Sequence, residues 1–217
     1  MIPKLHYISQ GQTPEEHLEH IQKACTAGAE LVQIRLKKLP GKVVWETAKK
    51  AREITEKYQT RLIINDFYKI AASVKADGVH LGKTDTCPTV ARKELASWQI
   101  IGSTANTLED CEALLDKKVD YIGLGPFRFT KTKENLSPVL GINGYLAILE
   151  ELKSQVPVIA IGGIVLEDVT ELMKTGVHGI AVSGEITRNF NSISEFKKLI
   201  NGGPLDEQRW ISDEKIK

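Results

Sequence analysis

Several signals that would place this chain of 217 residues in a specialised class are absent. Its three cysteines, Cys25, Cys87 and Cys111, lack CxxC spacing, which argues against a disulfide framework and a zinc site. No stretch approaches the roughly 18 uncharged apolar residues of a membrane span. The N-terminal MIPKLHYIS is too short and too polar for the apolar segment of a signal peptide, so we expect a cytoplasmic protein.

The chain also lacks a large net charge of either sign. The 29 lysines and arginines nearly balance 28 aspartates and glutamates, for a formal charge of +1. Broad nucleic-acid binding needs a strongly basic surface, so we expect neither a nucleic-acid partner nor a membrane partner. The sequence does not set the oligomeric state, and a homodimer is one of the alternatives.

No Ser/Pro-rich linker or low-complexity segment divides the chain, which has an ordinary globular composition with 41% hydrophobic residues. This length suits one sizeable core rather than two domains. We therefore predict one domain over residues 1–203 and a charged tail over residues 204–217. The tail is typical of a loosely packed extension, with docking through Trp210 as the alternative.

Short apolar runs alternate with amphipathic stretches along the whole sequence. The eight runs cover residues 4–9, 31–36, 61–66, 78–82, 99–104, 121–126, 157–163 and 179–184. Most end in Gly, Asn, Asp or Ser, which turn the chain and start helices. Eight strand–helix alternations predict a single-domain α/β fold of the (β/α)₈ TIM-barrel class. An open doubly wound sheet is the alternative, weakened because no strand is followed by GxGxxG.

The second run alternates polar and apolar side chains. Its polar members are Gln33, Arg35 and Lys37, and its apolar members are Val32, Ile34 and Leu36. Because side chains alternate faces along a strand, we expect the apolar set to pack on helices and the polar set to enter the barrel mouth. The side chains of Arg35 and Lys37 would need anionic groups close to them in that position. A strand running out into solvent is the alternative.

Acidic residues follow the next two runs. Asn65–Asp66 ends the third run and Asp85 follows the fourth, so both carboxylates should meet at one rim. Two adjacent carboxylates repel unless a cation lies between them, and Mg²⁺ prefers oxygen ligands and often shares a substrate phosphate. Helix capping by either aspartate is the alternative. We interpret His80, within the fourth run, as a hydrogen-bonded interior side chain.

The later strand ends offer neutral donors. Thr104 and Asn106 lie at the end of strand 5, and Gly163 and Ser183–Gly184 lie at the ends of strands 7 and 8. Glycines in the last two strand turns let backbone N–H groups approach a phosphate, which barrels frequently bind there. Gly163 and Ser183–Gly184 therefore predict a second anion-binding zone, separate from that of Arg35 and Lys37.

The segment GPFRFTKTKENLSPVLG, residues 125–141, carries several further donors. Thr130 and Thr132 are predicted to face the second zone, and Lys133 is predicted to reach the first. A solvated surface loop is the alternative. The rim would then hold one phosphate-bearing substrate in each zone.

The set VQIRLK, IIND, DGVHLGKTD, GLGPFRFTKTK, IAIGGI and GIAVSGEI, in this order and spacing, resembles the thiamine phosphate synthase (thiamine-phosphate pyrophosphorylase) family over essentially residues 5 to 190. Members of that family are (β/α)₈ barrels that join hydroxymethylpyrimidine diphosphate to a thiazole phosphate and release pyrophosphate with Mg²⁺. The resemblance therefore implies a transferase that uses Mg²⁺ and two small-molecule substrates.

The resemblance also implies roles for individual residues. The pyrimidine diphosphate would be held by Gln33, Arg35, Lys37 and Asn65, with Thr104 and Lys133 contacting the diphosphate. Magnesium would be held by Asp66 and Asp85. The thiazole phosphate would be held by Thr130, Thr132, Gly163, Ser183 and Gly184. Arg35, Lys37 and Lys133 would be the catalytic cations.

Three positions depart from the family pattern. Leu36 replaces a glutamate, but alternation points it outward, so we expect little catalytic loss. Lys83 replaces a glutamine and should add positive charge near the diphosphate. Asn106 stands where many members carry His, the residue on which the related thiazole tautomerase relies.

Other functions are weighed against the synthase. A thiazole tautomerase would lack the paired metal carboxylates. A sugar-phosphate isomerase or epimerase would have no use for the first, cationic zone, and a catalytically silent phosphate-ligand binder would show no Mg²⁺-dependent turnover. No Ser–His–Asp or Cys–His constellation is credible, and Cys87, beside Pro88, has no base near it in sequence.

Overall fold

The computed structural model describes residues 1–129 and 138–202. Eight parallel strands pair in chain order and close into a barrel, and helices follow the strands along the chain. The strands are β1 (Leu5–Ile8), β2 (Leu31–Ile34), β3 (Arg61–Asn65), β4 (Gly78–Leu81), β5 (Ile100–Ala105), β6 (Tyr121–Leu124), β7 (Val158–Ile161) and β8 (Gly179–Val182). The helices are α1 (Pro14–Thr26), α2 (Gly41–Lys57), α3 (Tyr68–Ser73), α4 (Pro88–Glu94), α5 (Leu108–Asp116), α6 (Gly141–Leu152), α7 (Val169–Lys174), α8 (Gly184–Arg188) and α9 (Ser192–Ile200), with a 3₁₀ turn over Leu166–Asp168.

The predicted (β/α)₈ barrel is confirmed, although seven of the observed strands end one or two residues earlier than the apolar runs and β5 ends one residue later. The second run was predicted to continue past Ile34, where β2 ends. Beyond this point the Arg35 N–H donates to the Ser9 hydroxyl at 3.2 Å. The Arg35 N–H therefore bonds to a side chain just past the end of β1, instead of to the backbone of a neighbouring strand.

Local sequence signals start several of the helices. Thr13 precedes α1 and accepts the Glu16 N–H, and Pro14 occupies the first turn. Thr107 caps α5 in the same way by accepting the Asp110 N–H. A threonine at this position satisfies a backbone donor that has no partner within the helix. These caps fix where the chain turns back after β1 and β5.

Side-chain alternation along the strands builds two separate cores. One core lies between the strands and the surrounding helices and contains most of the buried apolar side chains. The other is small and contains Ile2, Tyr121, Ile159 and Ala181, of which the last three lie on β6, β7 and β8. Tyr121 occupies so much of this space that a Cβ on Gly102 would lie 2.0 Å from its Cζ. Only glycine fits at position 102 beside that ring.

Two ion pairs brace the chain just before strands β4 and β6. Asp77 accepts from Arg52 Nη1 at 2.7 Å and from the Leu62 N–H at 2.8 Å. Asp120 repeats this arrangement with Arg92 and the Ile101 N–H. Each aspartate joins a helix to the start of a strand, on the rim opposite the strand carboxyl ends. Contacts at the amino-terminal face of a barrel are expected to contribute to stability rather than to catalysis.

None of the helices in the described part of the chain combines the length and the apolar character that a bilayer crossing requires. The last described helix ends at Ile200. Residues 204–217, predicted to form a charged tail, lie outside the described residues, so the predicted domain boundary stays a prediction.

We expect Asp77→Ala to lower the free energy of unfolding by about 1–3 kcal/mol, because Arg52 and the Leu62 N–H both lose their acceptor. Urea unfolding followed by circular dichroism measures this change. Glu171→Ala is the matched control, since its ion pair with Lys174 is more than half exposed on both sides and should contribute less than about 1 kcal/mol. Equal losses for the two variants would contradict the bracing role of Asp77.

Candidate functional site

One cavity of about 800 Å³ opens at the carboxyl ends of the strands. Ten of the residues predicted from the sequence line it: Gln33, Arg35, Lys37, Asn65, Asp66, Asp85, Thr104, Gly163, Ser183 and Gly184. The other three predicted residues, Thr130, Thr132 and Lys133, lie outside the described residues. A second cavity of about 530 Å³, near the end of α6, contains none of the predicted residues.

The polar residues of the second run reach the cavity as alternation predicted. Val32, Ile34 and Leu36 are buried in the core beneath the helices, whereas Gln33, Arg35 and Lys37 line the cavity. Leu36, which replaces the family's glutamate, therefore points away from the site.

Asp66 holds a backbone conformation that few residues adopt. Its φ is +66°, and its N–H donates to the His80 carbonyl at 2.9 Å. Aspartate tolerates this left-handed region better than most residues. The residue at the N-terminus of α3 is Phe67, and no side chain caps that helix. Helix capping, the alternative interpretation of Asp66, is therefore wrong.

Asp85 closes its own turn beside Asp66. Its Oδ2 accepts the Gly82 N–H at 2.7 Å, while α4 begins after Cys87 and receives no side-chain cap. The Asp85 and Asp66 carboxyls are close enough to share a hydrogen bond. Burial first, and then this neighbouring carboxyl, raise the pKa of Asp66, whereas the Lys37 ammonium, which donates to its Oδ2, opposes the rise.

The acidic pair fits a hard cation that takes only part of its coordination from protein. The described residues contain no cluster of three or more His, Cys, Asp or Glu side chains suited to a metal. Two carboxylates in contact need positive charge between them, and here Lys37 supplies part of it. Mg²⁺ commonly binds through one or two carboxylates plus substrate phosphates and waters, so Asp66 and Asp85 would be the protein's share of such a site.

Two buried polar atoms at the cavity have no hydrogen-bond partner in the described part of the chain. They are Asn65 Nδ2 and Ser183 Oγ, and both residues line the cavity. A buried polar group without a partner is costly, so these two atoms are candidates for hydrogen bonds to a ligand. Asn65 lies beside the acidic pair in the first zone, and Ser183 lies in the second.

Glycines shape the second zone. Gly162 and Gly163 have φ values of +97° and +70°, conformations that glycine adopts without strain. Arg128 packs over Gly163 and pairs with Asp168 at 2.6 Å. The other carboxylate oxygen of Asp168 accepts the Val165 N–H at 2.9 Å. The base of the segment after β6 is thereby fixed against the turn after β7.

Buried hydrogen bonds fix the side chains at the centre of the cavity. His80 bonds to Tyr121 and Thr104, which confirms its interpretation as an interior side chain. Asn106 donates through Nδ2 to the Gly125 carbonyl, so it joins β5 to the segment after β6. Lys83 lines the cavity but pairs with Asp110 at 2.7 Å.

Among the cavity residues that the sequence analysis missed are Gln10, Glu185 and Arg188. Gln10 lies two residues past the end of β1, and the rule applied to the other strand ends would have found it. Arg188 ends the short helix α8 and pairs with Glu185. Its position at the cavity depends on a five-residue helix that the hydrophobic pattern does not reveal.

Gly163→Ala is expected to destabilise the fold more than Gly184→Ala. A Cβ at Gly163 would lie 2.5 Å from Arg128 Cγ in a left-handed conformation, so we expect a loss of about 1–2 kcal/mol. A Cβ at Gly184 meets only contacts of 3.5 Å or longer, so that variant should stay within about 0.5 kcal/mol of the parent. Thermal unfolding compares the two, and an unchanged midpoint for Gly163→Ala would contradict the close packing of Arg128.

Comparison with known proteins agrees with this geometry. Residues 5–186 match the thiamine monophosphate synthase family. The thiamine-phosphate synthase of Flavobacterium johnsoniae is 48% identical over 203 residues, which cover 92% of this chain and 93% of the relative. That of Bacteroides fragilis is 40% identical over 91% of this chain and 98% of the relative.

A solved structure shares both fold and sequence with the chain. Thiamine phosphate pyrophosphorylase from Pyrococcus furiosus superposes with a TM-score of 0.76 at 30% identity and covers 91% of this chain and 95% of that one. A 3-hexulose-6-phosphate synthase, at 14% identity and a TM-score of 0.65, shares the fold alone. The chain belongs to the thiamine monophosphate synthase family.

Proposed function

We propose that this protein is a thiamine-phosphate synthase, which joins hydroxymethylpyrimidine diphosphate to a thiazole phosphate and releases pyrophosphate. Family membership over residues 5–186 supports the activity. The observation that carries the assignment to this cavity is its pair of zones, each with a buried polar atom that has no partner among residues 1–129 and 138–202. Two anionic substrates suit two such zones.

The first zone would hold the pyrimidine diphosphate. Arg35 and Lys37 supply positive charge at the cavity wall, and the Asn65 amide nitrogen, which has no partner within the described ranges, could donate to the substrate. Gln33 is buried between these residues and the barrel interior, where its amide can orient a heterocycle. Charged donors positioned in this way are the usual means of holding and activating a phosphate leaving group.

Asp66 and Asp85 would hold the Mg²⁺ that the family resemblance implies. Bound there, Mg²⁺ would neutralise charge on the diphosphate. Lys37 already contacts Asp66, so the same ammonium lies between the acidic pair and the proposed leaving group. Release of Lys37 from Asp66 would make it available to diphosphate oxygens.

The chemistry requires no protein nucleophile. The bond between the pyrimidine methylene carbon and the diphosphate oxygen breaks, and the aminopyrimidine stabilises the resulting cation. The thiazole nitrogen then donates its electron pair to that carbon. The protein's task is to stabilise charge that grows on the departing oxygen, for which Arg35, Lys37 and Thr104 lie at the cavity and Lys133 remains a predicted contributor.

The second zone would hold the thiazole phosphate. Ser183 offers a buried hydroxyl without a partner among the described residues, and Gly163 and Gly184 allow a phosphate to approach the backbone closely. Thr130 and Thr132 are predicted to complete this zone.

Two observations disfavour the alternative functions. A tautomerase would need a His at position 106, but Asn106 is occupied by its bond to the Gly125 carbonyl. A sugar-phosphate isomerase or epimerase would leave the first zone, with its acidic pair and two cations, without a role.

The assay that tests the function incubates the purified protein with both phosphorylated heterocycles and Mg²⁺ and measures thiamine phosphate and pyrophosphate. We expect both products in equal amounts, and none in excess EDTA. Binding of either substrate without product formation at any Mg²⁺ concentration would favour the silent binder. The cytoplasmic location and a homodimer stay predictions, which cell fractionation and sedimentation would test.

Asp66→Asn should lower kcat/KM by about 10²–10³-fold, because it removes one charge from the acidic pair. Asparagine also tolerates the left-handed conformation at this position, so the fold should survive. Steady-state kinetics at several Mg²⁺ concentrations measure the effect. Asp77→Asn, at the opposite rim, is the matched control and should keep its activity per folded molecule. A parental Mg²⁺ response in Asp66→Asn would remove Asp66 from the metal site.

Lys133→Ala should mainly lower kcat at saturating substrates, by about 10²–10³-fold, if its ammonium stabilises the departing diphosphate. Lys131→Ala is the matched control within the same segment. Parental turnover of Lys133→Ala would remove this residue from the mechanism.

A further inference from the structure

A chain of three buried side chains runs from the barrel interior to the cavity wall. The Tyr121 hydroxyl lies 2.9 Å from His80 Nδ1, and His80 Nε2 lies 3.0 Å from Thr104 Oγ1. Thr104 and His80 line the cavity, whereas Tyr121 does not. Tyr121 is therefore joined to the cavity by hydrogen bonds through the other two residues.

The direction of donation along this chain follows from the phenol. Burial raises the pKa of Tyr121 far above its usual range, so the hydroxyl keeps its proton. His80 Nδ1 is the one hydrogen-bond partner of that hydroxyl among the described residues. If Nδ1 carried a proton, the phenol proton would be a buried donor without an acceptor, which is costly. The phenol therefore donates to Nδ1.

This donation sets the tautomer of the imidazole. A neutral His80 that accepts at Nδ1 carries its proton on Nε2, because the bond made by one ring nitrogen decides the state of the other. Nε2–H then donates to Thr104 Oγ1. The Thr104 hydroxyl accepts this bond, so its own proton is free to point elsewhere.

We propose that Tyr121 is a positioning residue that fixes His80 as the Nε2–H tautomer and thereby directs the Thr104 hydroxyl proton toward a diphosphate oxygen in the first zone. The contact between Thr104 and diphosphate rests on the proposed function, whereas the tautomer does not. Without Tyr121, the Nδ1–H tautomer becomes accessible. In that tautomer Nε2 accepts the Thr104 proton and withdraws it from the substrate.

The packing around the ring supports a fixed geometry. Tyr121 meets His6 edge-on at 5.1 Å and stacks on His80 at 5.5 Å between ring centroids. The space that a Cβ on Gly102 would need is filled by the same ring. Burial lowers the pKa of His6 to about 3, so this neighbour stays neutral.

The tautomer is measured directly by ¹⁵N–¹H correlation spectra of the imidazoles in the substrate-free protein, with His80→Gln to assign the signals. We expect the His80 Nδ1 shift of an unprotonated ring nitrogen and the Nε2 shift of a protonated one. In Tyr121→Phe we expect these shifts to move toward the other tautomer. A protonated Nδ1 in the parent protein, or shifts unchanged in Tyr121→Phe, would overturn the proposal.

The consequence for catalysis is tested by a double-mutant cycle. Tyr121→Phe should lower kcat by about tenfold, the lower end of the effect expected when an outer partner of a functional histidine is removed. In the Thr104→Val background, which has no hydroxyl to direct, the same substitution should change kcat by less than about twofold. In the Thr104→Ser background the tenfold effect should return. Equal effects of Tyr121→Phe in the Val and Ser backgrounds would assign Tyr121 a merely structural role.

Tyr7→Phe is the matched control for the loss of a buried phenol. Tyr7 is as buried as Tyr121, but its hydroxyl bonds to Thr187 at 2.9 Å. This variant should keep the parental kcat and the parental His80 spectrum. A fall in kcat equal to that of Tyr121→Phe would overturn the specific role of Tyr121.

The two proposals fail in distinguishable ways. If the parent protein forms no thiamine phosphate, the proposed function fails while the His80 spectrum still reports the tautomer. Binding of inorganic pyrophosphate with Mg²⁺, followed by calorimetry, then replaces kcat as the readout of the double-mutant cycle. We expect Tyr121→Phe to weaken pyrophosphate binding in the Thr104→Ser background but not in the Thr104→Val background. Equal weakening in both backgrounds would overturn the role of Tyr121.

Discussion

The arrangement of the site depends on one constraint, which is that eight parallel strands share one direction around a closed barrel. Their carboxyl ends therefore lie on one rim, and alternation sends every second side chain toward the barrel axis. Residues far apart in sequence, such as Gln33, Thr104 and Ser183, reach one cavity for this reason alone. The interior must remain filled beneath them, which the Tyr121 ring achieves against Gly102.

Stability and chemistry occupy opposite rims. The Asp77 and Asp120 braces satisfy strand donors at the amino-terminal rim, whereas the carboxyl-terminal rim holds a left-handed aspartate and two polar atoms without partners in the described part of the chain. Such features cost free energy and persist where the surrounding structure determines them. The acidic pair, its lysine and the Asn65 amide are the part of this rim to which we assign ligand binding.

Much of this could be predicted from the sequence, because strand ends and alternation are local properties. The fold, the family and the common location of ten site residues are confirmed by the structure and the comparisons, while the binding roles of those residues stay predictions. Tertiary pairing was not predictable in the same way. Lys83 was expected to bring charge to the diphosphate, but Asp110 on α5 pairs with it, and no local pattern joins these two positions. The Tyr121–His80 bond likewise links side chains 41 residues apart.

The closure of the barrel has a consequence for the order of folding. Neighbouring strands such as β3 and β4 pair residues that are close in sequence, for example Ile63 with Gly78, but the seam between β1 and β8 pairs Leu5 with Ile180. The entropy of joining chain ends grows only with the logarithm of their separation, so this seam costs about 2 kcal/mol more than a local pair. This cost changes the equilibrium stability little. It slows folding, because the entropy of bringing distant strands together is lost before their contacts form. We therefore expect the pairing of β1 with β8, rather than that of β1 with β2, to form last.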